Sequence, residues 1–126
     1  MLVLDSGGVS RLAERSRATL ALVMALRERG LWPPLVPSVV LVESLQGHAG
    51  RNAHANAFLE TCDMIEQVPE RLARRAAWLR RKAQRGSAVD ALVVALAEPD
   101  GVVLTSDPND LSALAEFASR VRIERI

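Results

Sequence analysis

Met1-Leu-Val-Leu-Asp5 is four apolar residues closed by an acid, and Val102-Val-Leu-Thr-Ser-Asp107 follows a similar plan near the other end of the chain. Such short, continuous aliphatic runs suit strands buried on both faces, as in a parallel sheet covered by helices. Working outward, further strands are expected at 32–36 and about 63–67, with a last strand or tail at 121–124. Helices are expected at about 9–15, 17–29, 51–61 and 108–119. Pro37-Ser38 opens another, with Ser38 as N-cap, that ends near Gly47. Pro69 opens a basic helix that Gly86 stops, and Ser87 caps one reaching about Glu98. This alternation predicts an α/β fold with a central, mostly parallel sheet. Without repeats or low-complexity linkers, residues 1–126 read as one domain.

Composition narrows the class. Of 126 residues, 49% are hydrophobic, yet the aromatics are only Trp32, Trp78, Phe58 and Phe117, so the core must be aliphatic. Cys62 is alone, which excludes an internal disulfide and a cysteine zinc site and suits a reducing cytoplasm. The longest apolar runs, Leu20–Leu26 and Ala91–Ala97, fall far short of the roughly 20 residues that a membrane span needs. No basic segment precedes the early Asp5, as a secretion signal would require. A soluble, cytoplasmic protein is expected. His48 and His54, six residues apart and without ligand-spaced partners, read as surface residues.

Where the carboxylates fall is more telling. Asp5 ends the first strand, Glu43 interrupts Val39-Val-Leu-Val-Glu43-Ser-Leu45, Asp90 precedes Ala91–Ala97, and Asp107 follows Val102–Thr105. In a parallel α/β sheet, strand C-termini and the helix starts after them share the ligand-binding edge. Four acids gathered there repel one another unless they hold a cation. Hard oxygen donors without His or Cys favour Mg²⁺ or Mn²⁺ over zinc, and such a metal suits phosphodiester hydrolysis. Simpler roles exist: Ser87 and Asp90 have capping-box spacing, and Asp107 and Asp110 suit a turn or a helix start. Glu43, an acid within an apolar stripe, is the hardest to explain structurally.

At these residues the chain resembles the PIN-domain nucleases, and among them the VapC-type toxins of bacterial toxin–antitoxin modules. The resemblance covers nearly the whole chain and rests on four ordered blocks. These are Leu2-Val-Leu-Asp5-Ser6, Pro37-Ser-Val-Val-Leu-Val-Glu43-Ser-Leu-Gln-Gly47, Ser87-Ala-Val-Asp90-Ala-Leu-Val-Val-Ala95 and Leu104-Thr105-Ser-Asp107-Pro-Asn-Asp110-Leu111. It implies a PIN-like three-layer sandwich whose sheet has four or five strands. Asp5, Glu43, Asp90 and Asp107 would be the catalytic, metal-binding acids, with Ser6 and Thr105 orienting water or a carboxylate and Asp110 an auxiliary acid. It further implies an RNA-cleaving endonuclease dependent on Mg²⁺ or Mn²⁺, a cognate antitoxin that blocks the site, and a homodimer. Gly7-Gly8 departs from the pattern, where bulkier small residues are common, and Leu111 stands where an aromatic is frequent. A phosphoacceptor receiver domain would need a lysine on its last strand, and the sole lysine here is Lys82. A haloacid-dehalogenase-type phosphatase would need Asp-x-Asp where this chain has Asp5-Ser6-Gly7.

Charge is unevenly spread. Arg71, Arg74, Arg75, Arg80, Arg81, Lys82 and Arg85 crowd one helix without an acid, although the net charge is only +1. All of these except Arg80 project into one arc centred on Trp78, a surface able to track phosphates and stack bases. The alternative is a solvated helix with Trp78 packed beneath its arginines. On the helix at 18–29, Leu20, Leu22, Val23, Met24 and Leu26 spread around the axis. Such a helix is either deeply buried or covered by an antitoxin or a second copy. Two other functions stay open: a PIN nuclease outside toxin modules, acting in RNA processing or on DNA, and a non-catalytic α/β binding module with a structural cation.

Overall fold

The computed structural model describes residues 1–126 throughout. Its frame is five strands: β1 (Leu2–Leu4), β2 (Leu35–Pro37), β3 (Asp63–Ile65), β4 (Val102–Thr105) and β5 (Arg122–Arg125). They lie in the order β3-β2-β1-β4-β5, with every neighbouring pair parallel. The central strands β1 and β4 pair in register, Leu2 with Val102 and Leu4 with Leu104. Both are buried along their whole length, which accounts for their unbroken aliphatic sequence. The 121–124 segment is the edge strand β5 rather than a tail.

Seven helices flank the sheet: α1 (Ser6–Ala13), α2 (Arg17–Glu28), α3 (Leu41–Ser44), α4 (Ala49–Leu59), α5 (Glu70–Ala83), α6 (Ala88–Ala97) and α7 (Asn109–Ala115). Helices α1–α4 pack as one group and α5–α7 as another, while α1 and α6 both touch β1 and β4. This is the expected PIN-like sandwich. Its aliphatic core is one cluster of 21 buried residues, among them Leu4, Val9, Val36, Leu79, Val93, Val103 and Leu111. Leu111, where the resembled family often has an aromatic, is itself fully buried.

Several boundaries differ from expectation for physical reasons. Helix α1 starts at Ser6, not near residue 9, because Asp5 caps it and its first turn presses on β4. A Cβ on Gly8 would overlap the Leu104 carbonyl oxygen, and one on Gly7 would overlap Ser106 Oγ. The glycine pair therefore permits close approach rather than breaking the helix. The helix expected from Ser38 to Gly47 is broken into a 3-10 turn at Ser38–Val40 and the single-turn α3. Ser38 is not its N-cap; its hydroxyl reaches the Glu66 carbonyl at 3.4 Å instead. Helix α5 stops at Gln84, which adopts the left-handed conformation (φ 52°), two residues before Gly86.

Candidate functional site

Because Leu4 and Leu104 are paired neighbours, Asp5 and Thr105 meet at the C-terminal edge of the sheet. Asp5 is 8% exposed. One carboxylate oxygen accepts the Gly8 N–H at 2.7 Å, and the other accepts the Thr105 hydroxyl at 2.6 Å. The same hydroxyl accepts the Asp107 N–H at 3.0 Å, fixing the turn after β4. Burial raises the Asp5 pKa against the pull of these hydrogen bonds, and the negative charge of Asp90 raises it further.

Asp90 reaches this edge from the first turn of α6. The capping box is real: Ser87 Oγ accepts the Asp90 N–H at 3.1 Å, and Asp90 Oδ2 accepts the Ser87 N–H at 3.0 Å. Capping and proximity to Asp5 coexist, since the box uses only one Asp90 oxygen. Asp107 is exposed in its turn, and Ser6 is half-buried in the first turn of α1.

Glu43 requires a correction. It does not lie in a buried apolar stripe: it is exposed on α3, beside Val42 at 81% exposure. Helix α3 nevertheless packs against α1, whose cap is Asp5. No three Asp, Glu, His or Cys side chains are grouped closely enough to enclose a metal. The donor chemistry still fits a hard cation. None of the six ion pairs in the chain involves Asp5, Glu43, Asp90 or Asp107, so no direct ion pair neutralises these acids. Asp110 differs, since Arg85 pairs with it at 3.0 Å.

The basic helix is more self-occupied than its sequence suggests. Trp78 is half-buried rather than exposed, with the Arg75 guanidinium 4.5 Å and the Lys82 ammonium 5.7 Å from its ring centre. Arg75 also grips both oxygens of Glu98, at 2.8 and 2.7 Å, and Arg74 pairs with Glu70 at 2.9 Å. Arg71 and Arg81 are exposed and make no ion pair. Arg80, outside the arc drawn from the sequence, donates to the Gly86 carbonyl at 3.1 Å and so steadies the link before α6.

Helix α2 is not deeply buried: Leu20 is 65% and Met24 62% exposed, while Leu26 is fully buried. Beside it, a cleft of about 400 Å³ is lined by Leu12, Thr19, Leu20, Val23, His54 and Phe58 among others. His54 thus lies at a groove. Cys62 is half-buried, and burial pushes its thiol pKa up to about 11, which disfavours the thiolate at neutral pH. No helix is long and apolar enough to cross a membrane.

No protein-family model matches the chain, and no curated protein sequence does. Among solved structures, a chain in the crystal structure of VapBC2 from Rickettsia felis bound to a DNA fragment from their promoter is similar to it. The likeness covers 99% of this chain and 98% of that one, with a TM-score of 0.68 and 11% sequence identity. At that identity it is a likeness of fold, in agreement with the PIN-like sandwich that the four acidic blocks imply.

Proposed function

We propose that this chain is a metal-dependent endoribonuclease and the toxin of a toxin–antitoxin module. The observation that carries this is Asp5: a buried carboxylate at the C-terminal edge of the sheet, with Asp90 beside it and neither acid in an ion pair. Such a pair is unfavourable for stability alone and is accounted for by a bound Mg²⁺ or Mn²⁺. Asp5 and Asp90 would be its primary ligands, with Asp107 and Glu43 turning in from their exposed positions. When bound, the metal supplies an activated water and stabilises the leaving oxygen.

The remaining roles belong to the chain. Thr105 holds Asp5 in one orientation through its hydroxyl and fixes the Asp107 turn with the same oxygen. The Ser87 cap holds one oxygen of Asp90 and leaves the other free. Ser6 stands beside Asp5 where it could orient water. Arg71, Arg81, Lys82 and Arg85 would attract the strand electrostatically. The antitoxin assignment rests on the fold shared with a VapBC2 chain, and exposed Leu20 and Met24 on α2 are the surface assigned to that partner or to a second copy.

The test is cleavage of a mixed RNA pool by the purified protein with Mg²⁺ or Mn²⁺, beside Asp5→Asn and an EDTA control. Cleavage lost in both controls is the expected result. Cleavage that survives in Asp5→Asn would assign the carboxylates to structure and overturn the proposal.

A further inference from the structure

Among the basic residues of α5 and the link after it, position separates two groups. Arg75 binds Glu98 just beyond the C-terminal end of α6, eight residues from Asp90 and so about 12 Å along the helix from the acidic edge. Arg85 lies in the link that leads into α6, one residue before Gly86 and five before Asp90. That link is tightly held: Gly86 has φ +89°, and a Cβ on it would lie 3.6 Å from the Asp90 Cβ and 2.7 Å from Leu114 of α7. From this wedge between Asp90 and α7, Arg85 Nε and Nη2 both reach one oxygen of Asp110, at 3.1 and 3.0 Å.

We propose that Arg85 is the substrate-binding cation of the site, contacting an RNA phosphate next to the scissile bond, and that Asp110 is its displaceable counter-ion rather than an auxiliary metal acid. This deepens the nuclease reading and rests on it. A strand approaching Asp5, Glu43, Asp90 and Asp107 meets repulsion, and a cation beside them offsets it. The Arg85–Asp110 pair suits exchange, because its side chains are 56% and 49% exposed. A pair so exposed is screened by water and contributes little to stability, and a phosphate offers the guanidinium a better-matched fork. Asp110 lies in the first turn of α7, where the helix N-terminus continues to stabilise its charge once Arg85 has left.

The experiment measures binding of a fluorescent, mixed-sequence single-stranded RNA to Asp5→Asn protein across a salt series, alone and combined with Arg85→Gln, Arg85→Lys or Asp110→Asn. Arg85→Gln should weaken binding about fivefold and flatten the log–log salt slope by about 0.7, the value of one lost phosphate contact. Arg85→Lys should recover most of the slope, and Asp110→Asn should bind as tightly as the parent or tighter. Equal weakening by Arg85→Gln and Asp110→Asn would make the pair a structural tie and overturn the assignment. Unchanged binding in Arg85→Gln would overturn it as well, while leaving the nuclease reading intact. No binding by the Asp5→Asn parent would remove that reading and this one together.

Discussion

The Thr105 hydroxyl lies 2.6 Å from Asp5 Oδ2, joining residues a hundred positions apart at the ends of two central strands. Thr105 is fully buried, so its hydroxyl has no water to turn to. Thr105→Val keeps the shape and removes the donor, leaving a buried carboxylate oxygen and the Asp107 N–H without their partner. We expect a loss of about 1–3 kcal/mol in urea unfolding and a large fall in RNA cleavage. Thr105→Ser, which keeps the hydroxyl, should restore most of the activity.

Asp5→Asn should separate stability from function. Folding raises the Asp5 pKa, so the ionised carboxylate opposes folding at neutral pH, and neutralising it removes that cost. The Asn side-chain oxygen can still accept the Gly8 N–H. A melting temperature higher by roughly 2–4 °C, together with lost cleavage, is expected. Mg²⁺ or Mn²⁺ should raise the melting temperature of the unmodified protein and not that of the variant. A melting point lowered by Asp5→Asn would contradict the burial argument.

The glycine pair predicts an asymmetry. Gly8→Ala drives a methyl into the Leu104 carbonyl, which is backbone of a central strand, and should cost about 2–3 kcal/mol or prevent folding. Gly7→Ala chiefly displaces the Ser106 side chain, which is exposed and able to turn away, and should cost clearly less. Melting of the two variants side by side checks the order.

Much of this was legible in the sequence, for identifiable reasons. Strands β1 and β4 were readable because burial on both faces demands unbroken aliphatic runs, and the Ser87–Asp90 cap because its chemistry is local. The start of helix α1 at Ser6 is not legible locally, because Gly7-Gly8 has a tertiary cause, the nearness of β4, that no local pattern carries. The sequence sets Glu43 in an apolar stripe, yet its segment is a broken helix with Val42 pointing to solvent. The pairings of Arg75 with Glu98 and Arg85 with Asp110 join residues more than twenty positions apart, so the basic helix looked freer than it is.

Glu98 contributes to the pH dependence of the fold. The bidentate Arg75 pair and the Ser119 N–H, 2.7 Å away, hold its pKa below the usual carboxylate range. A depressed carboxylate contributes stability that is present above its unfolded value and lost as pH falls through the folded one. Glu98→Gln should lower stability by about 1–2 kcal/mol at pH 7 and flatten the decline below about pH 4.5. A parallel decline in both proteins would place the acid sensitivity elsewhere.

Met24→Glu changes a side chain that is 62% exposed, so its melting point should stay within about ±0.5 kcal/mol of the parent's. Light scattering should show loss of self-assembly, or pull-down loss of antitoxin binding. Indifference of both would free α2 from any partner.

The sheet order also sets when the site can exist during synthesis. Strand β1, though made first, lies between β2 and β4, and β4 begins only at residue 102. A growing chain therefore carries Asp5 through the synthesis of residues 6–101 without the strand that seats it or the hydroxyl that orients it. The arrangement at this edge is complete only once β4 has emerged and paired, so whatever chemistry it supports belongs to the folded chain and not to a nascent one that stops short of that strand.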